Sequence, residues 1–212
     1  MPYVNAKEML TDAKKNHYAV GHFNLNNMES VRAFLLAAEE KKSPIILGVS
    51  GGTAKYMGGY RTIAAMVKDF MAFLKTTVPV CLHVDHGTYE EALAAIDGGF
   101  SSVMFDGSKY SIDENIEKTR TIVKLAHEKM PGAMVGCMLA AGQYYPYSCA
   151  PEDVYKGMES DRDNYFFIDA QARGAYPVWA EKRMERAGVQ LDWEPGDRET
   201  LAEGTVDFIS FS

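Results

Sequence analysis

The run His83-Val84-Asp85-His86-Gly87 places two imidazoles around one carboxylate. Side chains alternate along a strand, so His83 and Asp85 share a face and His86 falls at the strand's end. An imidazole beside a carboxylate suits a zinc ligand next to a general acid or base, because the carboxylate can move a substrate proton. The same residues admit a plainer reading, with His83 hydrogen-bonded in the core and Asp85 capping the next helix. Asp106-Gly107-Ser108 supplies a second carboxylate, able to orient a metal-ligating histidine from behind or simply to shape a turn. The glycine-rich stretch GGTAKYMGG (51–59) could cradle a phosphate through backbone N–H groups, although it has neither P-loop nor G-x-G-x-x-G spacing. His22 and Asn24 end an apolar run and could touch a ligand, with core packing the reading preferred for His22. His17 and His127 read as surface or helix-end residues. Tyr144, Tyr145 and Tyr147 suit either stacking on a sugar or a packed aromatic loop.

The elements that must hold these groups repeat. Asn5-Ala6-Lys7-Glu8 reads as a capping box opening a helix to about Lys15. The run 17–23 (HYAVGHF) reads as a first strand, followed by a helix capped by Asn27 and broken at Ser43-Pro44. PIILGVS (44–50), VPVCLHV (78–84), SSVMF (101–105) and AMVGCMLA (133–140) are short apolar runs, as strands buried on both faces should be. Helical sequence follows at 60–75, 88–99 and 113–129. Strand starts fall roughly 23–34 residues apart, the length of one βα unit. That rhythm predicts a parallel sheet with helices outside it and polar residues on the loops after the strands: Asn24, Ser50, Asp85 and His86, and Asp106. Periodicity alone leaves barrel and open sheet both open. After residue 141 the rhythm changes to a loop, helical sequence from Pro151 to about Ala187, a turn region GDRETLAEG, and a last strand TVDFISFS (205–212).

Composition bounds the function class. The 212 residues are 47% hydrophobic and 24% charged, ordinary for a soluble globular protein. Net charge is −7 with no basic run, so nucleic acid is not an expected partner. No apolar stretch is long enough to cross a bilayer, and the first residues lack a secretory apolar core. Three cysteines outside any pairing motif suit a reducing compartment. A cytoplasmic location with no membrane partner is expected. Residues 1–130 carry fifteen basic and fifteen acidic side chains, so the whole net charge lies after them. All five histidines lie in the first part and both tryptophans in the second, which suggests a change of domain or origin.

The segments AVGHFNLNN, SPIILGVSGGTAKYMGG, LHVDHGTYEEALAAIDGGFSSVMFDGS and DENI resemble the first half of a class II, zinc-dependent fructose-bisphosphate aldolase over roughly residues 1–125. The resemblance implies a (βα)8 TIM-type barrel that cleaves fructose 1,6-bisphosphate to dihydroxyacetone phosphate and glyceraldehyde 3-phosphate. It assigns Asp85 as catalytic acid/base, His86 as a Zn2+ ligand, Asn24 and Ser50 as substrate-binding, and Asp106 with His83 as supports behind the metal. Residues from about 127 to 212 resemble the middle of a family 1 glycoside hydrolase of the 6-phospho-β-glucosidase type, lacking that family's two catalytic glutamates.

The sequence departs from both patterns. No histidine follows His127, although the aldolase family takes two further zinc-ligand histidines from later strands, and its late phosphate loops do not occur. The expected organisation is therefore a chimera of an aldolase-like half barrel (1–126) and a glycosidase-like segment (127–212). Together they form one incomplete α/β barrel of six parallel strands with outer helices. Its expected ligand is a sugar phosphate, with an incomplete zinc site and impaired aldol cleavage. The alternatives are a glycosidase fragment and a non-catalytic half barrel. An open barrel edge predicts marginal stability or homo-oligomers.

Overall fold

A computed structural model describes residues 2–140 and 142–211; Ser212, the last residue of the expected terminal strand, lies outside them. The chain divides into two compact units, Met1–Ala133 and Met134–Ser212. The helix containing 126/127 is continuous, and its Leu125 and Ala126 pack with Ile122 against Ala92 and Ile96 of the first unit.

In the first unit α1 (Ala6–Asn16), β1 (Gly21–Asn24), α2 (Met28–Lys41), β2 (Ile45–Val49), α3 (Gly51–Tyr56), α4 (Tyr60–Leu74), β3 (Val80–Gly87), α5 (Tyr89–Gly98), β4 (Ser102–Phe105) and α6 (Ile112–Lys129) follow one another. The four strands form one parallel sheet in chain order. Local chemistry sets the helix starts. Asn27, Thr88 and Ser111 each accept from a backbone N–H three residues on while the residue there bonds back, forming capping boxes at α2, α5 and α6. Asn5 caps α1 through the Lys7 N–H, one position short of the expected box. Lys42 and Lys75 take left-handed backbone conformations that end α2 and α4.

Two local expectations are corrected in this unit. The first strand is Gly21–Asn24, because His17 is occupied as the left-handed cap of α1. The glycine-rich 51–59 stretch is not an open phosphate loop: its first six residues are α3, nucleated by Ser50 accepting from the Thr53 N–H. The core lies between the sheet and α2 and α4, built on fully buried Leu25, Leu35, Leu47, Ile63, Leu82 and Phe100.

The second unit holds β5 (Gly136–Leu139), α7 (Pro151–Arg173), α8 (Val178–Arg186), α9 (Asp197–Glu203) and β6 (Phe208–Phe211). Its strands pair in parallel, Gly136 opposite Phe208. Pro151 opens α7, where its missing N–H costs no hydrogen bond. The expected turn GDRETLAEG instead contains α9. Among the described residues there are six parallel strands, four in one sheet and two in another, with helices following them. This is the α/β class of parallel strands and helices that was expected, and among the described residues neither sheet closes into a barrel, which takes eight strands.

Candidate active site

The carboxyl ends of β1–β4 collect the polar residues, because each parallel strand there turns into a loop or helix start whose backbone needs polar partners. Asn24 ends β1 and Ser50 caps α3 directly after β2. Asp85 and His86 lie at the end of β3, and Asp106 follows β4.

The register places Asn24 opposite Gly48 and Gly48 opposite His83, so the three share one row and one face of the sheet. Gly48 makes the row possible. A Cβ there would sit 2.0 Å from His22 Nε2 and 2.7 Å from Asn24 Oδ1. The His22 ring meets His83 edge-on at 5.5 Å between centroids. His22 is thus exposed on this face beside His83 and not packed in the core as the sequence suggested. His83 Nδ1 hydrogen-bonds Ser102 Oγ at 2.8 Å. Burial, then the neighbouring His22, pushes the His83 imidazole down to about 4, Asp85 opposing.

Pairing between β3 and β4 shifts between Val84 and Gly87, and His86 takes a left-handed backbone conformation, φ 51°. That irregularity breaks the alternation and brings His86 Nδ1 to 2.9 Å from Asp106 Oδ2. An ionised carboxylate only accepts, so His86 Nδ1 carries the proton and donates, leaving Nε2 with its lone pair. Asp106 Oδ1 accepts from the Ser108 N–H at 3.1 Å. Asp106 thus shapes the turn and also partners a histidine. Hydrogen bonds from Ser108 and then His86 hold its carboxyl at about 2, and Asp106 raises the His86 imidazole in return. Asp85 does not cap α5; Thr88 and Glu91 do.

Zinc in a catalytic site normally takes three protein ligands. Among the described residues no group of three or more His, Cys, Asp or Glu is arranged to hold a metal ion. His86, with Nδ1 fixed by a carboxylate, has the chemistry of one such ligand. The residues present do not fit a complete zinc site. The tyrosine cluster is not a packed loop either, Tyr147 being 98% exposed.

Gly48 and Ser102 escaped the sequence reading. An isolated glycine within the β-branched run IILGV was the available signal, since it marks close approach of another group. Nothing in the spacing pointed to Ser102.

The family model described as fructose-bisphosphate aldolase class II matches residues 4–134. The probable fructose-bisphosphate aldolase of Bacillus subtilis strain 168 is 54% identical over 128 residues, 60% of this chain and 45% of that protein. The fructose-bisphosphate aldolase of Geobacillus stearothermophilus is 52% identical over 130 residues, 61% of this chain and 45% of that protein. The chain thus spans about half the length of the curated relatives it matches. Among solved structures, the YdjI aldolase from Escherichia coli K12 superimposes with a TM-score of 0.55 and 24% identity over 99% of this chain and 80% of that one, a likeness of fold. The match takes in β1–β4 and every polar residue on their carboxyl ends, and on it the chain belongs to the class II fructose-bisphosphate aldolase family.

Proposed function

We propose that this chain carries the acid/base half of a class II aldolase site and acts, with impaired efficiency, on a sugar bisphosphate such as fructose 1,6-bisphosphate. The products would be dihydroxyacetone phosphate and glyceraldehyde 3-phosphate. Breaking a carbon–carbon bond beside a carbonyl requires one group to take a hydroxyl proton and return a proton to carbon. Asp85 is assigned that role, with Asn24 and Ser50 contacting substrate, and His86 is assigned as a metal ligand backed by Asp106 and His83. The observation that carries the reading is the His86–Asp106 hydrogen bond next to Asp85, inside the family match. Impairment is proposed because the residues present do not complete a zinc site.

The test is triose-phosphate release in a coupled assay with added Zn2+, run beside a full-length relative. A rate well below the relative's and abolished by Asp85→Ala is expected. A rate indifferent to Asp85→Ala, or no product at all, overturns the catalytic reading.

A second reading has its own observation: β1 and β4 are unpaired edges of the four-stranded sheet among the described residues, and such edges recruit strands from other chains. It predicts a homodimer by light scattering, and a monomer at all concentrations refutes it. For residues from about 127 to 212 the glycosidase-like descent rests on sequence motifs alone, and the aldolase family match runs on to residue 134. A cytoplasmic location is proposed with the aldolase reading; no described helix is long and apolar enough to cross a membrane.

A further inference from the structure

The two loops that carry His86 and Asp106 each bring a tyrosine with them. Tyr89 opens α5 three residues after His86, and Tyr110 lies in the turn four residues after Asp106. The Lys118 ammonium, on α6, sits over both rings, 4.4 Å from the Tyr89 centroid and 4.7 Å from that of Tyr110. All three side chains are half-buried, which strengthens attraction between a cation and a ring face by removing competing water.

The backbones of the two loops meet at one hydrogen bond, Asp106 N–H to Gly87 C=O at 2.9 Å. The Asn115 amide donates to the Gly107 carbonyl at 3.1 Å, holding the β4 loop to α6 only. Lys118 is different in kind, since it reaches the side chains of both loops at once. We propose that Lys118 is a positioning residue, its ammonium tying the β3 loop to the β4 loop through Tyr89 and Tyr110 and so keeping the Asp106 carboxylate on His86 Nδ1.

The inference rests on the His86–Asp106 pair being the working pair of the site, yet its readout needs no turnover. A tethered His86 carries its proton on Nδ1, whereas an untethered imidazole distributes it over both nitrogens. The experiment is long-range 1H–15N NMR on the 15N-labelled full chain, above the pH at which His86 titrates, with the signal assigned by its loss in His86→Gln. Lys118→Met keeps an apolar stem but removes the charge, and the Nε2–H form of His86 is expected to rise about fivefold relative to the Nδ1–H form. Lys118→Arg keeps a cation that stacks on aromatic faces and is expected to restore the original tautomer. Tyr110→Phe, which retains the ring face, is expected to leave it unchanged.

An unaltered tautomer in Lys118→Met overturns the inference. So does an equal change in Lys118→Met and Lys118→Arg, which would make the lysine a packing residue and not a cationic tie. Aldolase activity is scored separately: a chain without turnover whose tautomer follows Lys118 keeps this inference and loses the aldolase reading.

Discussion

Replacing Asp106 with Asn separates charge from shape at the centre of the site. The amide oxygen of Asn can still accept from the Ser108 N–H, so the turn persists, while the negative charge facing His86 is gone. The pair is close, 2.9 Å, but its side chains are 58% and 32% exposed, so water screens most of the attraction. A partly exposed pair of this kind contributes under about 1 kcal/mol. Its pH dependence has a definite sign. The Asp106 carboxyl is depressed from 3.8 to about 2, so its contribution is present above 3.8 and is lost as pH falls toward 2. The His86 imidazole is raised from 6.5, so its contribution is full below 6.5 and is lost as pH rises through the folded value. The pair therefore stabilises most between 3.8 and 6.5. Urea unfolding at pH 5.5 should place Asp106→Asn about 0.5–1 kcal/mol below the parent. The gap should narrow at pH 9.5 and in high salt. NMR titration should bring the His86 midpoint back toward 6.5. A His86 midpoint unmoved in Asp106→Asn would refute the reasoning, because it would mean the observed contact carries no electrostatic coupling.

Two further outcomes follow from burial. Phe100 is 1% exposed and meets Tyr60 edge-on at 5.3 Å, so Phe100→Ala should cost about 3–5 kcal/mol; a shift of the urea midpoint equivalent to less than 1 kcal/mol would show that the site collapses around the loss. His83 is held at about 4 against an ordinary 6.5, so stability should fall as pH drops from 6.5 to 4, by up to on the order of 3 kcal/mol. His83→Gln, which can still reach Ser102, should flatten that slope, and an unchanged slope would place the acid sensitivity elsewhere.

How much of this was legible in the sequence depends on the range over which each cause acts. Helix starts at Asn27 and Pro151 were readable because both signals are local: Asn27 accepts from a backbone N–H three residues on, and the missing N–H of Pro151 costs nothing in a first turn. The strands from Ile45 and Val80 were readable because burial on both faces leaves an unbroken apolar run. Where two local preferences competed, the reading failed. His17 became a helix cap and shortened β1, and the serine before Gly51 turned a glycine-rich stretch into α3. The 197–203 region offered only weak local signals, and a short helix formed where a turn was expected.

The residue types alone determined that Asp85, His86 and Asp106 would end neighbouring strands, since a βα rhythm sends polar groups to the carboxyl ends. They could not determine which of those groups touch. That Asp106 meets His86 depends on a register shift between β3 and β4 and on a left-handed residue at 86. That His22 lies against His83, across the glycine at 48, depends on the pairing of three strands drawn from more than sixty residues of chain. Contacts of this kind are fixed by long-range register, which no local pattern encodes. The tertiary structure alone therefore decided which imidazole is tethered to a carboxylate and which is half-buried and held well below its ordinary titration range.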